Sequence, residues 1–304
     1  ALSSAASDVY KRQILIMLVT LYTSRVVLNT LGVEDFGVYN AVGGVVSMFA
    51  VISGALSNAI SRYITYGLGK GDKEKLKMIF CTSVNIQIII ALIIFVLCEI
   101  VGLWFLNSRM NIPEDRLVAA NWVLHCSLLT FVVNLISVPY NACIIAHEHM
   151  NAYAYISIFD AILKMSVAYL LIVSPVDKLI AYSVLLFVTA LGVRLLYGFY
   201  CGRHFKECKY KPIYDRVLFK EMMGFAGWNF FGNATSVLNI QGVNILINVF
   251  FGVVANSARG IASQIDAAVN QLVVTFTTAV NPQITKSYAQ GDSQRPVSYT
   301  HLTL

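Results

Sequence analysis

Five ionisable side chains stand inside otherwise apolar stretches of this sequence: Arg25, Asp160, Lys164, Arg194 and Asp266. An ionised group at the centre of a bilayer costs at least about 2.5 kcal/mol. If those stretches cross a membrane, the five must face one another or a shared wet interior. Their chemistry would be ionic recognition. Arg25, Lys164 and Arg194 outnumber Asp160 and Asp266, and Arg259 adds a cation near the end of the Asp266 stretch. Such an excess suits an anionic headgroup such as a pyrophosphate, which arginine holds bidentately. The two carboxylates would tune charge or carry a coupling ion, H+ or Na+. Each group also has a plainer reading. Asp160 and Lys164, four residues apart, can neutralise each other. Arg194 can snorkel to the interface, and Arg259 can act as an interfacial anchor.

Polar residues share helix faces with these charges at 3.6 residues per turn. Arg259, Ser263, Asp266, Asn270 and Thr277 form one stripe, and Asn229, Asn233, Ser236 and Asn244 another. Tyr153, Ser157, Asp160 and Lys164 align, as do Asn40, Ser47, Gly54, Asn58 and Ser61. Ser127, Asn134 and Asn141 share a face, as do Tyr22, Arg25 and Asn29. A helix facing only lipid needs no such stripe. The stripes therefore predict a cavity lined by several helices, although Asn58, Asn134 and Asn233 can also serve as interhelical hydrogen-bond glue.

The elements that position these residues are membrane spans. The chain has 304 residues, 57% apolar and 12% charged, against roughly a quarter charged in a soluble domain. Apolar runs of about 20 residues suffice to cross a hydrocarbon core of about 30 Å. Spans are predicted at 14–31, 37–66, 79–106, 118–146, 152–173, 179–200, 222–251 and 255–287, with a kink at Pro139. The fold class is therefore all-α integral membrane, with about eight transmembrane helices. Basic loops follow the second and sixth spans, and Lys286 follows the eighth. The positive-inside rule then starts the first native helix in the cytoplasm. The loop His147-Glu148-His149 is not basic and carries no vote.

Asn29-Thr30-Leu31-Gly32-Val33, with Gly71-Asp72 closing the next span, returns about 220 residues later as Asn248 to Val253 with Gly291-Asp292. The repeat predicts a six-helix bundle over 14–200, a basic connector over 201–221 and the first two helices of a second bundle over 222–296. Residues 1–13 and 297–304 match nothing in the adjoining periodicity, resemble translated sequencing-adapter read-through, and are expected to be non-native.

Other chemistries are not signalled. A net charge of +6 in a membrane chain reflects loop lysine and arginine, not nucleic-acid binding. Gly67-Leu68-Gly69-Lys70-Gly71 has neither the preceding strand nor the Gly-Lys-Ser/Thr of a phosphate loop. Cys98, Cys126 and Cys143 read as small core residues. Cys201, His204 and Cys208 share a loop at a spacing unlike familiar zinc sites, so no metal or cofactor is expected. His125 reads as a packed core residue. No Ser-His-Asp, Cys-His or paired-carboxylate constellation appears, so the chain is read as a non-enzyme.

The run Ser24 to Asn40 (SRVVLNTLGVEDFGVYN) resembles the opening of polysaccharide-export flippases of the O-antigen (Wzx) type. Pro139 to Glu148 and Phe159 to Lys164 are similar to the same family. These motifs recur across the wider MOP superfamily, which includes the MATE exporters. The resemblance covers 14–296 and implies a MATE-like fold of two six-helix bundles, twelve to about fourteen helices in all. It also implies an undecaprenyl-pyrophosphate-linked oligosaccharide, such as a lipopolysaccharide O-antigen unit, moved across the bacterial inner membrane by alternating access. A cation-coupled multidrug exporter of the same fold is the alternative.

Overall fold

The computed structural model describes residues 2–47, 50–108, 112–212, 215–235, 270, 273–274, 277 and 281–290. Arg259 and Asp266, most of the predicted eighth span, the later part of the seventh and the segment 297–304 lie outside the described residues.

The described secondary structure is helical. In chain order it comprises α1 (Leu2–Ser47), α2 (Ala50–Lys70), α3 (Lys73–Ser108), a 3-10 turn (Glu114–Arg116), α4 (Leu117–Ala146), α5 (Met150–Val173), α6 (Lys178–His204) and a second 3-10 turn (Lys206–Cys208). Helical segments at 216–235 (α7) and 281–289 (α8) follow. α3 to α6, with the turn before α4, are long and apolar enough to cross a membrane. Their apolar side chains are largely on the outside: Leu92, Ile100, Val101 and Trp104 on α3 are each more than half exposed. A soluble protein would bury such a surface; here it faces acyl chains, and the chain is a multi-pass membrane protein.

α1 is two helical limbs joined at Gly32, whose φ of 82° and ψ of 170° no helix contains. Glycine alone reaches this conformation without a Cβ penalty. Thr20 and Tyr39 would stand roughly 28 Å apart along an unbroken helix, yet both line one cavity. The chain therefore folds back at Gly32, between the first two predicted spans. Residues 2–13 are helical and run without a break into the first limb.

α4 is the central helix. It packs on α1, α2, α3, α5 and α6 and runs through Pro139 as one element. Towards its start, Ala120, Val123, Leu124 and Leu128 meet Val42, Val46, Ile94 and Leu179. Towards its end, Tyr140, Cys143 and Ile144 meet Ile60, Phe80, Cys201 and Met222.

The loops sort onto two faces. On one, Arg116 reaches Asp35 (3.1 Å) and Asp177 (2.6 Å), and Lys178 donates to the Thr30 carbonyl. Burial pushes the Asp35 carboxyl up against the pull of Arg116, and the neighbouring acids Asp177, Glu34 and Asp115 push it the same way. The other face gathers the basic loops. There Lys286 pairs with Glu148 at 3.2 Å and His147 with Glu207. The loop that carried no vote thus joins the basic side, as alternation of spans requires. The described part of residues 201–221 comprises the end of α6, the second 3-10 turn and, from 216, the start of α7.

Candidate functional site

A polar cavity of about 560 Å3 lies among α1, α4, α5 and α6. Helical periodicity places its wall. α4 presents Thr130, Asn134, Ser137 and Asn141, one stripe at successive turns, and α5 presents Ser157, Asp160, Ala161 and Lys164. α1 adds Thr20 from its first limb and Tyr39 from its second, and α6 adds Tyr197. A smaller cavity of about 200 Å3 adjoins it, sharing Tyr39, Thr130 and Asn134 and adding Ser127 and Ser183.

The charged pair is the main electrostatic feature. Lys164 Nζ donates to Asp160 Oδ2 at 2.7 Å. The ammonium remains half exposed and the carboxylate less so. An i, i+4 pair of this kind removes net charge while leaving three ammonium donors, only one of them committed. Ser137 and Ser157 donate their hydroxyls to their own helix, at the Val133 and Tyr153 carbonyls. Asn141 Oδ1 is buried with no hydrogen-bond partner among the described residues. The wall thus combines hydroxyls, amides and one neutralised ion pair with the apolar side chains Ile16, Val138, Leu186 and Val193.

Of the residues singled out in the sequence, Asn134, Asp160 and Lys164 converge here. The others do not. Arg25 and Asn29 lie exposed on α1, away from this wall; five residues separate Thr20 from Arg25, which turns Arg25 to another face. Arg194 stacks its guanidinium 3.8 Å from the centre of the Tyr140 ring, a cation–π contact. Asn58 is exposed on α2, and Asn270 is exposed. Asn229 donates to the Phe225 carbonyl of its own helix, and Asn233 is half-buried. The described cavity is lined by α1, α4, α5 and α6, several helices as the stripes predict.

His125 differs from its sequence reading as well. It is not packed in a core. It is partly exposed, and its Nδ1 lies 2.9 Å from Glu99 Oε1 on α3. Glu99 is a sixth acid or base inside an apolar span that the sequence reading passed over. Tyr39, Thr130 and Ser137 are cavity residues that it also missed. No signal marked Tyr39, because a tyrosine among valines reads as core.

Comparison with known proteins decides the family. Residues 11–288 match the family described as polysaccharide biosynthesis protein. The chain belongs to this family. An uncharacterized membrane protein, EpsK, of Bacillus subtilis (strain 168) is 20% identical over 291 residues, covering 95% of this chain and 57% of that protein. The chain therefore spans little more than half the length of this relative. Among solved structures, a MATE transporter in the straight conformation has a TM-score of 0.82 at 11% identity, covering 98% of this chain and 67% of that one. A MOP superfamily transporter from Pyrococcus furiosus, described as having a binding pocket of reverse polarity, has a TM-score of 0.77 at 13% identity, covering 98% and 66%. The family member described here thus has an all-α, MATE-like membrane fold.

Proposed function

We propose that the chain is part of a flippase that carries an undecaprenyl-pyrophosphate-linked oligosaccharide, such as an O-antigen repeat unit, across the bacterial inner membrane. The observation that carries this reading is the composition of the cavity wall, Thr130, Asn134, Ser137, Asn141 and Ser157 around the Lys164–Asp160 pair, whose half-exposed ammonium keeps donors for a ligand, in a polysaccharide biosynthesis family member. Sugar hydroxyls are donors and acceptors at once and need a wall of the same kind. Lys164 would meet phosphate as a point charge. Arg25, exposed on α1 outside this wall, and Arg259, outside the described residues, would be further phosphate contacts elsewhere along the path. Arg194 is assigned a packing place over Tyr140. Asp160 would hold Lys164 in position and, with Asp266, carry a proton or Na+. The first helix would start in the cytoplasm, where the basic loops lie. Transport would follow alternating access, one bundle rocking on the other around the cavity.

A second reading has its own support. Asp160 is a carboxylate in the cavity, and the fold is that of MATE exporters, so a cation-coupled multidrug exporter would use Asp160 as its main site. Deletion of the whole gene in its host separates the two. The flippase reading expects loss of surface glycan with drug susceptibility unchanged. Intact glycan with raised drug susceptibility would refute it in favour of the exporter.

A further inference from the structure

Four side chains that the transport reading does not use meet where α4 ends on the basic-loop face. Cys143 and His147 stand four residues apart on α4 and therefore share a face. The 3-10 turn Lys206–Cys208 brings Glu207 and Cys208 onto that face. Cys143 Sγ, a His147 ring nitrogen and a Glu207 carboxylate oxygen all lie within 4.8 Å of one another. Cys208 Sγ lies 3.2 Å from Cys143 Sγ, and His147 Nε2 lies 2.5 Å from Glu207 Oε1. Both cysteines are almost wholly buried, and Phe205 stacks on His147 with ring centres 4.0 Å apart. Among the described residues Cys143, His147 and Glu207 are the one grouping of such side chains with metal-binding spacing, and Cys208 adjoins it through Cys143.

We infer that Cys143, His147, Glu207 and Cys208 form a closed binding site for a borderline-soft divalent cation, Zn2+ by preference. Two thiolates, an imidazole and a carboxylate are a donor set that Zn2+ takes in tetrahedral geometry. Bond lengths of about 2.0–2.3 Å in a tetrahedron place ligand atoms roughly 3.4–3.8 Å apart. The sulfur pair and the nitrogen–oxygen pair are each closer than that and would open by under about 1 Å, while the Cys208 thiol, outside the 4.8 Å grouping of the other three, would turn inward to complete the set. Four protein ligands leave no open position, so the ion would be structural and not catalytic. Bound Zn2+ with two thiolates and one carboxylate carries a net negative charge. Cys201 supports the site from behind, its thiol directed to the Tyr140 carbonyl at 3.5 Å.

The sequence could not reveal this set, because its members come from two segments about 60 residues apart and neither segment holds a recognisable zinc spacing. The plain reading of the thiols as small core residues holds for Cys98, which sits among apolar neighbours. It does not explain why thiols, imidazole and carboxylate converge at one point. The ion would pin the first turn of the segment joining α6 to α7 against α4. The site stands independently of what the cavity carries.

The test uses the purified chain in detergent, reduced and stripped with chelator, then given Zn2+ or Cd2+. One Zn2+ per chain should be retained after desalting, and Cd2+ should give a thiolate charge-transfer absorption. Cys143→Ser and Cys208→Ser should each weaken Zn2+ binding by at least about tenfold, while Cys98→Ser should not. A readout without variants guards against misfolding. Zn2+ should slow alkylation of Cys143 and Cys208 in the unaltered chain by at least about tenfold, read by mass spectrometry. No stoichiometric Zn2+, equal retention by the Cys143→Ser/Cys208→Ser double variant, or alkylation indifferent to Zn2+ would each overturn the assignment.

Discussion

Gly69 and Ala289 stand against each other: a Cβ on Gly69 would lie 2.4 Å from Ala289 Cβ and 2.9 Å from the Lys286 carbonyl oxygen. The repeat expected from the sequence would make the two positions equivalents, since the offset of about 220 residues between Gly32 and Gly252 and between Gly71 and Gly291 also separates Gly69 from Ala289. On that repeat, a residue touching its own equivalent would lie near the axis relating the two copies. The end of α2 and the end of α8 meet on the basic-loop face.

This contact predicts a steric test. Gly69→Leu places a side chain where backbone and Ala289 already stand, so the ends must part. Opening on the basic face should expose the cavity from that side. A cysteine introduced by Asn134→Cys should then react several-fold faster with a membrane-impermeant thiol reagent applied to the basic face. An unchanged rate would mean that the Gly69 contact does not close the cavity.

The Glu148–Lys286 pair should act beside it. Both side chains are about a third exposed, with Lys286 38% and Glu148 32% accessible, so the pair is worth at most about 1 kcal/mol. Glu148→Lys and Lys286→Glu should each raise the same labelling rate about twofold to fivefold. The double exchange should restore it. Failure of the exchange to restore would show that the pair does not couple the two helix ends.

On the opposite face, Arg116 joins three connections by holding Asp35 and Asp177. Asp35 is only 5% exposed, so removing its partner leaves a buried carboxylate. Arg116→Ala should lower stability by about 1–3 kcal/mol, read as an earlier melting transition in detergent. A variant melting with the parent would contradict this.

Asp35 also gives a pH dependence with a definite sign. Its carboxyl is raised above the ordinary value of 3.8, chiefly by burial, in part opposed by Arg116. A raised carboxyl favours the folded state when protonated. Its contribution is fully present below pH 3.8 and is lost as pH rises through the higher folded value. Relative to Asp35→Asn, the parent chain should gain stability as pH falls from neutral towards that value. A difference in melting temperature that stays constant across the range, or grows the other way, would remove this account of Asp35.

Much of the frame was legible in the residues. α4, α5 and α6 begin and end within a few residues of the predicted spans, because charge and apolar length mark a membrane helix strongly. Asp160 and Lys164 were paired from spacing alone, since i, i+4 neighbours on a helix meet whatever surrounds them. The reversal at Gly32 fell between two predicted spans. What periodicity does not supply is the neighbour that a face meets. Arg25 and Thr20 lie on one limb, and only packing decides that Thr20 turns to the cavity. Arg194 found an aromatic ring instead of a counter-charge, and Glu99 found His125 on an adjacent helix. Contacts of this kind, between elements distant in sequence, leave no pattern within either one.

The account rests most heavily on Lys164 as the phosphate contact in the cavity. The direct measurement is surface glycan in a strain whose own flippase is deleted, complemented by the whole protein carrying Lys164→Ala, with membrane levels matched. A fall of at least about tenfold, with Lys164→Arg restoring most of the display, is the expected result. Full glycan display by Lys164→Ala would contradict it.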